Sequence, residues 1–217
     1  MNLKLDILSP SQKQLFSELS NIPSNFVLYG ETALALRLGH RKSIDFDFFS
    51  SDPFNPKELF NTIYFLKGSE KSQIDKNTLT CLVKRLNESI KVSFFWGLSF
   101  ARLSSPEICS DPKIAIASLA DLSATKIQVI QDRAEIKDYI DIAELLEHFT
   151  LEQILSNAIA VFGKKFNPLL SLKALIFYED GNLPQLDIRT KQKLTAKVNK
   201  IDLLNLPKVK IEDKRLI

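Results

Sequence analysis

The sequence predicts an α+β fold in which a mixed β-sheet, with helices on one face, is followed by a C-terminal helical bundle. Over the first half of the chain, short β-rich runs alternate with helical segments. From Ser118 onward the apolar residues recur at helical spacing. A chain of 217 residues with 45% hydrophobic and 25% charged residues is typical of a globular protein that buries a core.

The elements of the first half follow from local signals. Ser9 before Pro10 marks the start of one helix, and Gly39 marks the end of another. Short runs of apolar and aromatic residues between the helices are typical of strands. These signals predict, in order, a helix at 10–20, a strand at 26–29, a helix at 32–38, a strand at 43–49 and a helix at 56–66.

Three further strands are predicted to extend the sheet as a meander. Turn signals at Asn77 and Asn87 separate these β-rich runs. The predicted strands cover 73–75, 79–84 and 91–96.

The remainder of the chain is predicted to be helical. A polar stretch at 104–112, which contains Cys109, is predicted as a loop and is a candidate for a boundary. The five helices predicted after it cover 120–131, 135–148, 151–162, 168–178 and 188–199.

These elements predict an α/β core at 1–112, a helical region at 113–200 and a basic tail at 201–217. The net charge of +3 is too small to indicate nucleic-acid binding, although the run from Lys191 to Lys214 is clearly basic. Two interpretations of this run stay open, a solvated tail and an arm that contacts RNA.

Cysteine content and the amino terminus indicate the compartment. The two cysteines have neither metal-ligand spacing nor a disulfide framework, which suits a reducing environment. The first residues carry charges where a signal peptide needs an apolar core, and no stretch has the ~20 apolar residues of a membrane span. We therefore expect a cytoplasmic protein with no membrane partner.

The candidate metal ligands are Asp45 and Asp47, which lie in the strand predicted at 43–49. Successive strand side chains point to opposite faces, so the two carboxylates are predicted on one face and Ile44, Phe46 and Phe48 on the other. Paired carboxylates repel each other unless a cation lies between them, and their hard oxygen atoms suit Mg²⁺ or Mn²⁺. The alternative is a solvent-facing strand edge.

An anion site is predicted beside this pair. Gly30 precedes the helix at 32–38, whose free N–H groups and dipole favour an anion, with the Thr32 hydroxyl as a further donor. Arg37 and Arg41 either point at phosphate or neutralise the two aspartates. A phosphate site next to a metal site suggests a nucleoside triphosphate.

The residues of this stretch resemble a known family. Gly30-x-Thr32, the run from Leu36 to Arg41, Ser43 and Asp45-x-Asp47-Phe-Phe are similar to the first motif of the AbiEii/AbiGii toxin-like nucleotidyltransferases of the polymerase-beta-like superfamily. The resemblance implies a polymerase-beta-like sheet, metal binding by Asp45 and Asp47, and nucleotide binding by Gly30, Thr32, Arg41 and Ser43.

Two later segments extend the resemblance to about residue 146. The run from Ser118 to Lys126 is similar to the family's lysine motif, and the run from Asp132 to Asp141 to its closing aspartate motif. By resemblance, Lys126 contacts nucleotide phosphate and Asp138 is the closing acid, which positions Lys126, orients an acceptor hydroxyl or acts as a base. The helical region at 113–200 would then complete the active site.

The sequence departs from the family pattern at two positions. Glu31 places a carboxylate close to where phosphates would lie, and Ser93 occupies the position of a third carboxylate in many related sites. The alternative is therefore a catalytically impaired module that binds a nucleotide or a partner. A glycosyltransferase is disfavoured, because Asp45 follows the first strand by only about 15 residues, without the preceding βαβ unit of about 30 residues.

The predicted activity is thus Mg²⁺- or Mn²⁺-dependent transfer of a nucleoside monophosphate from a nucleoside triphosphate to a hydroxyl of RNA, such as transfer RNA, or of protein. The resemblance further implies a toxin with a cognate antitoxin.

Overall fold

The computed structural model describes residues 2–97 and 101–211, which form two compact units. The sheet unit comprises residues 2–97 and 105–118, and the helical unit comprises residues 101–104 and 119–211. The sheet unit contains seven strands in the order β3-β4-β5-β2-β1-β7-β6. The strands are β1 (Phe26–Tyr29), β2 (Phe46–Ser50), β3 (Glu70–Asp75), β4 (Thr78–Arg85), β5 (Glu88–Trp96), β6 (Glu107–Ser110) and β7 (Lys113–Ile116).

The sheet is mixed, as the sequence predicts. β2 pairs antiparallel with β1 and parallel with β5, while β1 pairs parallel with β7. In this register Asp47 lies opposite Tyr29 on one side and opposite Ser93 on the other. Asp47 therefore lies in the middle of the sheet, where both neighbouring strands fix its backbone, and Asp45 precedes the paired residues.

Three helices belong to the sheet unit, namely α1 (Pro10–Ser17), α2 (Gly30–Leu38) and α3 (Pro56–Thr62). Ser9 caps α1 in a capping box with Gln12, and Gly39 ends α2 in the left-handed conformation, as the sequence predicts. The predicted helices at 10–20 and 56–66 are too long, because each ends in a separate 3₁₀ turn. The 3₁₀ turns of the described chain are Leu5–Ile7, Leu19–Asn21, Tyr64–Leu66, Gly163–Lys165, Leu183–Gln185 and Leu203–Asn205.

Ile44 and Cys109 lie in elements other than those predicted for them. β2 begins at Phe46, so Ile44 lies before the strand and is 71% exposed instead of sharing the core face with Phe46 and Phe48. The stretch predicted as a loop at 104–112 contains β6, which places Cys109 in a strand. β6 pairs antiparallel with β7, and such short strands carry too few residues for periodicity to reveal them.

Aromatic side chains fill the core beneath the acidic motif. Phe46, Phe48 and Phe94 are fully buried, and the rings of Phe48 and Phe94 stack with centroids 5.5 Å apart. Phe26 packs edge-on against Phe94 at 5.2 Å. Each buried aromatic side chain removes a large apolar area from water, so this cluster holds β1, β2 and β5 together and makes β2 a rigid support.

The helical unit consists of α4 (Leu119–Val129), α5 (Ile136–Leu145), α6 (Leu151–Phe162), α7 (Pro168–Leu175) and α8 (Ile188–Val198). The segment at 101–104 joins this unit through hydrogen bonds from Ala101 N to Val161 O (2.8 Å) and from Leu103 N to Asp121 Oδ1 (2.7 Å). Thr150 opens α6 with a capping box that includes Gln153. The predicted helix at 168–178 is too long by three residues at its end.

The sequence also makes predictions about the basic end of the chain and about membrane spans. Of the basic tail predicted at 201–217, residues 212–217 lie outside the described residues, and the three-region division stays a prediction. Within the described ranges, no helix combines the length and the apolar character needed to cross a membrane.

The stability of the helical unit is expected to fall at alkaline pH because of Tyr139. Burial, followed by the charges of Tyr178, Asp138 and Asp180, raises the pKa of Tyr139 to about 12. The folded state therefore holds the phenol proton more tightly than the unfolded state does, and this stabilisation is complete below pH ~10 and lost as the pH rises towards ~12. We expect about 2–3 kcal/mol of the free energy of unfolding to disappear across this window.

The matched variant is Tyr139→Phe. It loses the hydrogen bond from the phenol to Ala174 O (2.9 Å), so we expect it to be about 1 kcal/mol less stable near neutral pH. Chemical denaturation at a series of pH values should show a flatter alkaline limb for the variant. Equal alkaline slopes in the two proteins would contradict the assignment.

Candidate active site

Asp45 and Asp47 lie at the start of β2. Asp47 is the second residue of the strand and Asp45 immediately precedes it. The carboxylate of Asp45 is 34% exposed and forms an ion pair of 2.8 Å with Lys91 on β5. Ser93, two residues further along β5 and opposite Asp47, donates a hydrogen bond to the Asp47 carboxylate. The two carboxylates therefore contact one ammonium group and one hydroxyl group of β5.

The environment of Asp47 disfavours its negative charge. Burial raises the pKa of the Asp47 carboxyl above its usual range, and the charges of Asp45 and Glu31 act in the same direction. Lys91 and the hydrogen bond from Ser93 lower the pKa but do not cancel the effect. Additional positive charge beside Asp47 would therefore stabilise its ionised form.

Thr32 and Ser43 hold the chain that leads into Asp45. Thr32 on α2 is 1% exposed, and its hydroxyl is hydrogen-bonded to the carbonyl of Asp45 and, at 2.8 Å, to the hydroxyl of Ser43. The carbonyl of Ser43 accepts a hydrogen bond of 2.7 Å from the Gln12 amide. These contacts give Thr32 and Ser43 a positioning role, while direct nucleotide binding by either hydroxyl stays a prediction.

Both arginines of the motif are engaged with acids. Arg41 forms an ion pair of 3.2 Å with Glu31, which lies in the first turn of α2. Arg37 forms one of 2.9 Å with Glu107 and donates a hydrogen bond of 2.8 Å to Ala117 O. Arg37 therefore ties α2 to β6 and to the end of β7, and Arg41 partly neutralises the carboxylate that departs from the family pattern.

Gly30 allows α2 to begin against the Asp47 carboxylate. Its φ of +72° lies in the left-handed region, and a Cβ at this position would be 3.1 Å from Asp47 Oδ2. Glycine at this position therefore permits the left-handed backbone conformation and also leaves room for the Asp47 carboxylate.

We expect Gly30→Ala to destabilise the protein by about 1–2 kcal/mol through backbone strain, and also to displace the Asp47 carboxylate and reduce activity. Gly68→Ala is the matched control, because Gly68 has a similar φ of +80° but nothing within 4 Å of a Cβ. Thermal melts and activity assays should show a comparable stability loss in both variants and an activity loss in Gly30→Ala alone. A loss of activity in both would attribute it to strain and not to the contact.

A second cluster of charged side chains lies in the helical unit. Lys126 on α4 is 6% exposed and forms ion pairs of 2.8 Å with both Asp138 and Asp141 on α5, whose side chains are fully buried. Arg133 donates to the two oxygens of Asp138 at 2.8 and 3.0 Å. Two cations and two carboxylates thus neutralise one another, and the arrangement fits the reading in which Asp138 positions Lys126.

The site residues predicted from sequence fall into these two groups. The sheet unit brings together Gly30, Thr32, Arg41, Ser43, Asp45 and Asp47, and the helical unit brings together Lys126 and Asp138. Sequence reasoning missed the ion pairs made by Lys91 and Arg133. Lys91 lies two residues before Ser93 on β5, and only the parallel pairing of β5 with β2, which the sequence does not show, brings it to Asp45.

Comparisons with known proteins agree with the fold and identify the family. The family model described as nucleotidyl transferase AbiEii toxin, type IV toxin–antitoxin system, matches residues 14–203. The chain belongs to the AbiEii nucleotidyl transferase toxin family. An uncharacterised protein from Aquifex aeolicus is 32% identical over 165 residues, which cover 74% of this chain and 77% of that protein. This membership confirms the resemblance seen in the sequence motifs.

Two solved structures share the fold of this AbiEii family member. A protein from H. pylori, provisionally described as a nucleotidyltransferase, has a TM-score of 0.59 and 18% identity, with 88% of this chain and 95% of that chain covered. MenT4, a nucleotidyltransferase toxin from Mycobacterium tuberculosis, has a TM-score of 0.56 and 16% identity, with 88% and 82% covered. The predicted nucleotidyltransferase fold is therefore confirmed.

The residues of the sheet unit fit a divalent cation of the kind that the family implies. Among residues 2–97 and 101–211, no group of three or more His, Cys, Asp or Glu side chains is arranged to hold a metal ion. The donors are instead the two carboxylates of Asp45 and Asp47, beside space that a Cβ at Gly30 would fill. Two carboxylates suffice where substrate phosphates and water supply the other ligands, as is usual for Mg²⁺.

Proposed function

We propose that this AbiEii family member transfers a nucleoside monophosphate from a nucleoside triphosphate to a hydroxyl group of RNA or protein, as the toxin of a toxin–antitoxin pair. The observation that carries the proposal is the placement of Asp45 and Asp47 beside the first turn of α2. An acidic pair next to free backbone N–H groups offers adjacent positions for a cation and for phosphate. Family membership supports the transferase class and a cognate antitoxin.

The residues of the sheet unit would bind and orient the nucleotide. Asp45 and Asp47 would hold Mg²⁺ or Mn²⁺, and the amides of Gly30 and the following first turn of α2 would face the outgoing pyrophosphate. Arg41, which pairs with Glu31, would keep that carboxylate from repelling the phosphates. Thr32 and Ser43 would fix the backbone of Asp45 and so keep its carboxylate in place.

The bound cation would supply charge neutralisation at the α-phosphate and the pyrophosphate. In the transfer itself, the acceptor oxygen forms a bond to the α-phosphorus while the bond to pyrophosphate breaks. The protein would contribute positioning and electrostatic stabilisation and no covalent intermediate. The preorganised β2 backbone, held by both neighbouring strands, suits this role.

Roles for Lys126 and Asp138 follow from their positions in segments that resemble the family's lysine motif and its closing aspartate motif. Lys126 would contribute a positive charge to the nucleotide phosphates, and Asp138, with its second partner Arg133, would hold the lysine in one rotamer. An ammonium that lies 2.8 Å from each of two buried carboxylates is held in one position, which suits a fixed electrostatic group.

The second candidate function is a binding module that has lost the transfer reaction. Ser93 favours it, because a hydroxyl stands opposite Asp47 where many related sites have a third carboxylate. This module would bind nucleotide or a partner without metal-dependent turnover.

The test is incubation with each of the four α-³²P-labelled ribonucleoside triphosphates and with Mg²⁺ or Mn²⁺, in the presence of total transfer RNA or of the protein alone. We expect label to be incorporated by the wild type and lost in Asp45→Ala. Nucleotide binding without incorporation of label would refute the transferase and favour the binding module. Incorporation that persists in Asp45→Ala would refute the metal assignment.

A further inference from the structure

Lys91 places a positive charge on β5, in the interior of the sheet. Ile90, Val92 and Phe94 are buried in the core, so the alternate residues Lys91 and Ser93 lie on the other face of the strand. Lysine is a poor strand former, and β5 pairs with β4 on one side and with β2 on the other. A charge at this position contributes little to the packing of the sheet, which points to an ionic partner or a ligand.

The ammonium of Lys91 is already used by the two candidate metal ligands. Its nitrogen lies 2.8 Å from Asp45 Oδ2, and the side chains of Lys91 and Asp45 are 43% and 34% exposed. The charge of Lys91 also acts on the carboxylate of Asp47, which accepts a hydrogen bond from Ser93. Without a bound cation, Lys91 is therefore the counter-ion of this acidic pair.

The charge balance of the site does not favour a divalent cation alone. Asp45, Asp47 and Lys91 together carry a net charge of −1, while Glu31 and Arg41 neutralise each other in an ion pair of 3.2 Å. A divalent cation would leave an excess positive charge among groups that are partly withdrawn from water, which is unfavourable without a compensating anion. The two carboxylates can neutralise the cation fully only when the ammonium has another partner.

Nucleotide phosphate is the partner that this site offers to the ammonium. The first turn of α2, whose free N–H groups favour an anion, begins against Asp47, because a Cβ at Gly30 would be 3.1 Å from Asp47 Oδ2. Phosphate held there would lie beside the same acidic pair as Lys91. A half-exposed lysine has a flexible stem and three donors, so it can exchange a carboxylate oxygen for a phosphate oxygen and keep its hydrogen bonds.

We propose that Lys91 makes divalent-cation binding by Asp45 and Asp47 dependent on nucleotide phosphate. In the cation-free protein the ammonium neutralises Asp45. When phosphate and cation bind together, the carboxylates turn to the cation and the ammonium pairs with a phosphate oxygen. This inference rests on the proposed transfer function and specifies the residue that couples its two ligands.

The exchange is tested with Mn²⁺ and inorganic tripolyphosphate, which stands for the nucleotide phosphates without requiring a particular base. Equilibrium dialysis measures the excess of Mn²⁺ in the protein compartment, so Mn²⁺ complexed by free tripolyphosphate cancels between the two sides. We expect tripolyphosphate to tighten Mn²⁺ binding by the wild type at least about tenfold, a usual size for coupling between two ligands. Equal Mn²⁺ affinity with and without tripolyphosphate would overturn the proposal.

The decisive variant is Lys91→Met, which keeps a long side chain and removes the charge. We expect it to bind Mn²⁺ alone at least about tenfold more tightly than the wild type does, because the ammonium no longer repels the cation. The gain in Mn²⁺ affinity from tripolyphosphate should shrink to less than about threefold. Unchanged or weaker binding of Mn²⁺ by Lys91→Met would show that the lysine only holds Asp45 in place.

Two further variants and a second measurement make the result specific to the position of the charge. Lys91→Arg keeps the charge and should keep the coupling, and Lys84→Met, which removes an exposed charge from β4, should behave as the wild type does. In thermal melts, Lys91→Met should melt below the wild type without Mn²⁺ and should gain more from added Mn²⁺. Tighter Mn²⁺ binding by Lys84→Met as well would attribute the effect to net charge and overturn the role of Lys91.

The Asp45→Ala variant separates failure of this inference from failure of the proposed function. Wild-type Mn²⁺ affinity in Asp45→Ala would refute the metal assignment on which the proposed function depends. Loss of Mn²⁺ binding in Asp45→Ala, with equal affinities in the wild type and Lys91→Met, would keep the proposed cation site and overturn the role of Lys91. The expected coupling in a protein that transfers no label would keep the role of Lys91 and refute the transferase.

Discussion

Replacement of Asp47 by asparagine is expected to abolish nucleotide transfer and at the same time to stabilise the folded protein. If Asp47 holds the cation as proposed, its loss removes several kcal/mol of transition-state stabilisation, so we expect activity to fall by about a thousandfold. Stability should rise because burial and the charges of Asp45 and Glu31 raise the pKa of this carboxyl. A melting temperature higher by at least about 2 °C at neutral pH, without added metal, is the expected result.

The sign of the stability effect follows from proton linkage. A carboxyl whose pKa is raised on folding holds its proton more tightly in the folded state, so stability falls as the pH rises from the unfolded pKa to the folded one. Above the pKa that the carboxyl has in the folded state, the full free-energy cost of burying its charge is present, and asparagine removes this cost. Ser93 can still donate its hydrogen bond to the asparagine carbonyl, so the substitution keeps this contact.

Two controls make the result specific to Asp47. Asp52→Asn removes an exposed charge near the end of β2 and should change neither activity nor melting temperature. Added Mg²⁺ should raise the melting temperature of the wild type, because it binds the folded state, and should have little effect on Asp47→Asn. A less stable Asp47→Asn protein, or an unchanged response to Mg²⁺, would show that the carboxylate serves the fold and not a cation.

The first motif could be predicted because its information is local. A buried strand, a glycine, a helix of strong helix formers and a second strand follow one another between Phe26 and Ser50, and each signal spans only a few residues. Alternation correctly placed Phe46 and Phe48 in the core. It failed at Ile44, because periodicity cannot show where a strand begins when the preceding turn is also held by side chains such as Thr32 and Ser43.

The pairing of charges could not be predicted, because it depends on tertiary contacts. Lys91 meets Asp45 across two parallel strands separated by more than forty residues of sequence. Glu31 seemed unfavourable for phosphate binding when taken alone, whereas the structure gives it Arg41 as a partner. Sequence therefore indicates which residues carry charge in this site, and the fold decides which of those charges remain to act on a ligand.

Replacement of Lys126 by methionine is expected to destabilise the helical unit strongly. Methionine has a similar length but no charge, so Asp138 and Asp141 lose the ammonium that lies 2.8 Å from each. Removing one partner of a buried ion pair typically costs about 3–5 kcal/mol, since the remaining charge stays out of water. We expect the melting temperature to fall by about 10 °C, measured by circular dichroism or differential scanning calorimetry.

A companion double variant separates this structural cost from any catalytic role. Asp138 keeps Arg133 when the lysine is lost, so Lys126→Met/Asp141→Asn should recover part of the stability by removing a second buried charge. If Lys126 also contacts phosphate, the double variant will be folded and yet remain inactive at a temperature well below its melting point. Recovery of activity together with stability would show instead that the lysine only holds α4 and α5 together, and the family's lysine motif would then be structural in this chain.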